Sequence, residues 1–238
     1  MIQVFEKYRH KFEPYRLFER FMEFVINGFD VMLSAIEKPF SKEESEACME
    51  LLNAWIMSMN EALKHKEWYD LLGEIYMNYL ASTMKKQWTG QFFTPMHISD
   101  LMAKITGPGE VVGERIMNCA CGSGRMLLAA HVLHPGNYCC AQDLDRICCL
   151  MTVCNFIIHG VNGEVICGDS LNPADYRDGW RTNELLNVIG MPTVRKMSKE
   201  ESSTYIGSLS TMSESKVVAS NAKSKPTKVE PVQLSLFE

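Results

Sequence analysis

The chain has 238 residues, 46% of them hydrophobic, with a formal charge of -5 at pH 7 and nine cysteines. That length can bury one sizeable core with a smaller helical attachment, and the acidic balance excludes a protein that grips nucleic acid by charge alone, because displacing counterions takes a basic face. No apolar run approaches the ~20 residues that a membrane helix needs, and the opening MIQVFEKYRHKFEPYR is too charged for a secretory signal, so no membrane partner, a cytoplasmic location and reduced thiols are expected.

Residues from Phe5 to about Lys86 are predicted to be helical throughout. Apolar positions recur every three or four residues in LFERFMEFVINGFDVML and ACMELLNAWIMSMNEAL, and glycine is scarce. Pro39 is expected to end one helix, and Ser41 followed by Glu44 to form the capping box of the next. A further helix, EWYDLLGEIYMNYLASTMKK, closes a helical region assigned to residues 1–88. Its Met- and aromatic-rich stripes read as core or as a surface for a helical partner.

Beyond Gly90, short apolar strands alternate with helices: strand GERIMN, helix GRMLLAAHVL, strand YCCAQDLD, helix DRICCLMTVCNFIIHG and strand EVICGDS. This order predicts an α/β fold over residues 89–197. Crossovers of this length demand parallel strands, whose C-terminal ends share one edge of the sheet, and ligands bind at that edge. RTNELLNVIGMP is predicted as a short helix with Thr182 as N-cap, Gly190 past its end and Pro192 as a stop. Residues 198–238 are rich in Ser, Lys and Thr and predict a disordered tail. The tail finishes QLSLFE, whose apolar–polar alternation has the form of a tethered recognition peptide.

Chemistry concentrates in NCACGSGRM, Asn118 to Met126. Gly122 and Gly124 fall where the first strand turns into a helix, so backbone can pass close to a ligand and present free N–H groups. Asp143 ends the second strand, the position from which a carboxylate accepts ribose hydroxyls. Asp169 ends the third, where an ionised carboxylate can accept from an adenine amine. Together they outline a nucleoside pocket. Leu127 stands where a dinucleotide fingerprint needs a third glycine, and Arg125-Met126 does not supply the Lys-Ser/Thr of a P-loop, so phosphate readings weaken. Cys119 and Cys121, one residue apart with no histidine to complete a set, read as loop and packing residues, and no metal site is expected.

NCACGSGRM resembles the D/N-P-A-C-G-S-G motif of S-adenosylmethionine-dependent adenine-N6 DNA methyltransferases, and GQFFTPMHIS, Gly90 to Ser99, is similar to their motif X. With AQDLD and GDSL following in order, the resemblance spans roughly residues 45 to 171. It is nearest to the modification subunits of type I restriction systems, which also carry a helical N-terminal region. The resemblance implies a Rossmann-like methyltransferase sheet, S-adenosylmethionine as cofactor, and adenine in DNA as acceptor, held with help from another subunit. Carried over by position, Phe93 and Thr94 would line the methionine end, and Asn118, Cys121, Gly122, Ser123 and Gly124 the turn under the cofactor. Asp143 would take the ribose and Asp169 the adenine amine. Thr94 is expected to cap a helix starting at Pro95, with Phe92 and Phe93 as an apolar wall.

Two departures stand out: Cys119 replaces the family's proline, and Asn118 its commonest aspartate. The catalytic Asn/Asp-Pro-Pro-Tyr/Phe of these enzymes occurs nowhere in the chain, so no catalytic residue is assigned and the sheet is expected to be truncated. NPADY, Asn172 to Tyr176, follows Asp169 directly and is read as coincidence. Three readings stay open: a divergent or truncated enzyme, a non-catalytic cofactor-binding subunit, or an adaptor. The terminal QLSLFE resembles the pentapeptide by which bacterial replication proteins dock on the sliding clamp, with Gln233 making polar contacts and Leu234, Leu236 and Phe237 entering apolar pockets.

Overall fold

In a computed structural model, residues 1–32, 38–80, 92–107, 109–172 and 174–204 are described. The motif residues Gly90 and Gln91, the residues from 205 onward and the Gln233–Phe237 peptide lie outside them. The N-terminal third is helical as its periodicity predicts: α1 is Ile2–Tyr8, α2 Pro14–Phe29 and α3 Lys42–Ala62. The predicted capping box is present, the Glu44 N–H donating to Ser41 Oγ at 3.1 Å and the Ser41 N–H to Glu44 Oε2 at 2.9 Å. Pro39, in contrast, does not end α2. The helix stops at Phe29 because the chain turns to join the sheet, where the Val31 N–H donates to the Val194 carbonyl at 3.1 Å. Of the last predicted helix, the described residues form α4 Leu71–Ile75 and a π-helical turn over Tyr76–Leu80, and its residues 81–86 lie outside them.

The α/β region follows the predicted grammar. Its elements are α5 Met96–Thr106, β1 Arg115–Asn118, α6 Arg125–Leu133, β2 Tyr138–Asp143, α7 Arg146–His159 and β3 Gly163–Cys167. β1 pairs parallel with β2, and β2 with β3. The sheet is not parallel throughout, however. β4 Asp178–Thr182 and β5 Val194–Lys196 add antiparallel strands beyond β3, giving a mixed five-stranded sheet in the order β1-β2-β3-β4-β5. Thr182 is therefore the end of a strand and not a helix cap; its hydroxyl donates to the Val161 carbonyl at 2.9 Å. The predicted helix shrinks to α8 Leu186–Ile189, closed by Gly190 in the left-handed conformation.

Residues Met1–Ser202 form one compact unit in which the helices and the sheet share a core. α2 and α7 pack together, and Phe21 meets Trp55 edge-on at 5.9 Å. β3 is buried at all five positions, whereas β1 is an edge strand and alternates exposed and half-buried residues. Among the described residues no helix is long and apolar enough to cross a membrane.

Candidate cofactor site

The C-terminal ends of β1, β2 and β3 share one edge of the sheet, and the chain bends sharply there between β1 and α6. Asn118 starts the bend by accepting the Ala120 N–H on Oδ1 at 3.1 Å, an Asx turn. The Cys121 N–H donates to the Gln142 carbonyl and the Gly124 N–H to the Cys121 carbonyl, both at 2.9 Å, which ties the bend to β2 and closes it. Gly122 and Gly124 have φ of +56° and +88°, the left-handed region where a side chain is strained. Space is tight as well: a Cβ on Gly122 would stand 2.9 Å from the Phe93 ring, and one on Gly124 3.1 Å from Thr152 Cγ2.

Asp143 sits under this bend. Its Oδ2 accepts the Gly122 N–H at 2.8 Å and its Oδ1 the Asp145 N–H at 2.9 Å. An ionised carboxylate has about four acceptor directions, and with the backbone N–H of Leu144 also bonded to it, about one remains for a ligand hydroxyl. Burial raises its pKa above the ordinary carboxylate value, against the pull of those backbone donors. Opposite stands Phe93, stacked on Tyr76 with ring centroids 5.5 Å apart, its N–H donating to Met77 Sδ at 3.3 Å. Phe92 beside it is exposed.

Thr94 does not cap the following helix. Pro95 is itself the N-cap of α5, held extended at φ -55° and ψ 142°, and no side chain caps the first turn. The contribution of Thr94 is its carbonyl, which accepts from Arg125 Nη1 at 3.3 Å. Cys121 is buried with Sγ 3.5 Å from Thr152 Oγ1, and burial pushes its thiol up to about 12, so it packs as a neutral group.

A cleft of about 240 Å³ opens over the bend, and seven of the nine predicted cofactor residues line it: Phe93, Thr94, Asn118, Cys121, Gly122, Ser123 and Asp143. Gly124 lies behind it against Thr152, and Asp169 outside it at the same sheet edge. One Asp169 oxygen accepts the Leu171 N–H at 2.9 Å; the other has no partner among the described residues. Tyr176 of NPADY donates its hydroxyl to the Met197 carbonyl, which makes it part of the β4–β5 packing. Among the described residues no group of three His, Cys, Asp or Glu is arranged to hold a metal ion.

Sequence reasoning missed two residues of this region. Arg125, only 3% exposed, lines the cleft with its guanidinium 5.8 Å from the Phe93 ring centre, and Asp70, fully buried, bonds to it from the helical region. Asp70 reads locally as the N-cap of a short helix, which it is, and nothing local announces a partner 55 positions away.

Comparison with known proteins gives a consistent family. The family described as N-6 DNA Methylase matches residues 67–191. The Type I restriction enzyme MjaVII methylase subunit of Methanocaldococcus jannaschii is 28% identical over 145 residues, a match covering 56% of this chain and 24% of that subunit. The chain thus spans about a quarter of the length of that relative. No solved structure matches.

Proposed function

Because this chain belongs to the N-6 DNA methylase family, we propose that the cleft over Gly122 is an S-adenosylmethionine site and that the protein carries the cofactor half of a DNA adenine-N6 methylase. The observation that carries this reading is the convergence of a left-handed glycine bend, a carboxylate with an acceptor direction to spare and an aromatic wall on one cleft at the C-terminal edge of the sheet. The residues present fit the group. Asp143 offers its remaining acceptor direction to a ribose hydroxyl, and Asp169, beyond the cleft at the same sheet edge, offers its free oxygen to the adenine amine. The bend from Asn118 to Gly124 passes under the nucleoside where side chains would collide, while Phe93 and Thr94 flank the methionine end. Bound there, S-adenosylmethionine supplies an electrophilic methyl on a sulfonium, and the chain contributes orientation and negative charge near it.

A second reading, a non-catalytic cofactor-carrying subunit, is favoured by a specific observation. Methylating adenine requires stacking the extruded base on an aromatic group and accepting from its N6. The chain has no Asn/Asp-Pro-Pro-Tyr/Phe, and among the described residues β1 is an edge strand with no further strand paired to its free side. On this reading DNA is engaged through another subunit, in keeping with the charge of -5. The docking peptide Gln233, Leu234, Leu236 and Phe237 is assigned to the bacterial sliding clamp; removing Gln233–Glu238 is expected to abolish clamp binding, and unchanged binding overturns that assignment.

Competition binding tests the cofactor reading. S-adenosylmethionine and S-adenosylhomocysteine are expected to compete for one site that ATP and NAD do not occupy. Assay of labelled methyl transfer to DNA then separates the two readings: transfer by the chain alone indicates that this cofactor half is itself catalytic, and cofactor binding without transfer indicates the non-catalytic subunit. Failure of S-adenosylmethionine to bind removes both.

A further inference from the structure

Asp70 is fully buried, and all its acceptor directions are used. Its Oδ1 accepts the Gly73 N–H and Asn155 Nδ2, both at 2.8 Å. Its Oδ2 accepts Ser123 Oγ at 2.5 Å and Arg125 Nε at 2.7 Å. Capping α4 needs only the first of these bonds. The other three run to the bend and the two helices that flank it, and each partner passes the constraint on. Asn155 Nδ2 also donates to the Ser123 carbonyl at 2.8 Å. Arg125 reaches the Thr94 carbonyl through Nη1 and Glu74 through Nη2, with the Phe93 ring beside it. Gly73 is part of the device: a Cβ there would stand 2.0 Å from Asp70 Oδ2 and 2.7 Å from Ser123 Oγ, so only glycine lets the carboxylate and the bend approach.

We propose that Asp70 is a positioning residue for the cofactor bend: from the helical region its carboxylate locks Ser123, Arg125 and Asn155, and through them sets the gap between the glycine turn and the Phe93–Thr94 wall. The role within the cleft rests on the cofactor reading above; the locking of the bend does not. Low local dielectric strengthens the bonds to a buried carboxylate whose acceptor directions are all taken and makes the loss of one costly, while Asn155 Oδ1 is buried without a partner among the described residues.

The test uses the full chain with Asp70→Asn, Ser123→Ala and, as a control for stability alone, Glu44→Gln. Glu44 holds the start of α3 and pairs with Arg20, away from the bend. Hydrogen exchange of the segment 118–127 is followed in the protein alone, and S-adenosylmethionine affinity by calorimetry. Asp70→Asn is expected to speed exchange of that segment and weaken binding, each on the order of tenfold, while amides of β2 and α7 stay protected. Ser123→Ala, which keeps the buried charge pair, is expected to shift both in the same direction by less. Glu44→Gln is expected to lower the melting temperature and leave both unchanged. Wild-type exchange in a folded Asp70→Asn protein overturns the proposal; if that variant does not fold, wild-type exchange in Ser123→Ala does so. A wild-type protein that fails to bind S-adenosylmethionine, with the bend still loosened by Asp70→Asn, removes the cofactor reading and leaves the positioning role standing.

Discussion

Gly122 shows how far a single residue of the site can be derived from sequence. A glycine at a strand-to-helix turn implies backbone that a side chain would obstruct, and the structure gives both causes, a φ of +56° and a Phe93 ring within 2.9 Å of any added Cβ. Gly122→Ala is therefore expected to cost about 1–3 kcal/mol of stability and to abolish S-adenosylmethionine binding, as read by urea unfolding and calorimetry. Asp143 was legible for the same reason, because strand-end position alone brings it to the ligand edge. Its pKa carries a sign. Burial raises it, so the ionised form that the proposed ribose contact needs is present above that raised value and lost as the pH falls through it. Affinity for S-adenosylmethionine is expected to decline on acidification at a pH above the ordinary aspartate value of 3.8; decline only at or below 3.8 would contradict the shift. Asp70 and Arg125 were not legible, because their meaning is a contact between segments that periodicity and motif spacing treat separately.

At the scale of elements, legibility followed the strength of local signals. β2 and α7 carry long apolar runs, β3 a shorter one over Val165–Cys167, and α7 ends at Gly160 in the left-handed conformation, so their extents could be read closely. β4 could not. DGWRT contains one large apolar residue, and it is a strand because Val165 faces Trp180 across an antiparallel ladder and Lys196 covers the indole at 4.3 Å. The three residues of β5 are a strand through their pairing with β4 and the bridge from the end of α2 at Val194. Such strands are products of tertiary pairing, and intrinsic preference says little about them. The α3 capping box is the opposite case, a wholly local device present as expected. Ser41→Ala should lower stability by about 1 kcal/mol in denaturant unfolding while leaving cofactor affinity unchanged; an unaltered midpoint would show that the cap contributes nothing.

For the molecule as a whole, the helical region is fused to the sheet and forms part of the site. Besides Asp70, the Tyr69 N–H donates to His159 Nε2 at 3.2 Å, while Nδ1 of the same ring bonds the Asn155 carbonyl at 2.8 Å, and Trp68 Nε1 donates to Asp100 at 2.8 Å. The ring of His159 must be neutral to accept from Tyr69, and burial lowers its pKa below 6.5. A histidine whose folded pKa is depressed supports the fold fully above the unfolded value and loses that support as the pH falls through the folded one. Melting temperature is thus expected to fall as the pH drops below about 6.5, and His159→Gln, which can also accept from Tyr69, to flatten that fall; an unchanged profile would remove His159 as its source. The fusion itself was hidden from the sequence, where a change of grammar near residue 89 reads as a boundary between regions that the folded chain joins through one core. The claim on which the account stands is that this core presents a nucleoside site at the Gly122 bend, and the direct measurement is calorimetric titration of S-adenosylmethionine into the wild-type chain and Asp143→Ala. Saturable binding to one site in the wild type, weakened on the order of a hundredfold when the ribose carboxylate is removed, is the predicted result; no binding in the wild type, or equal binding in both proteins, would contradict it.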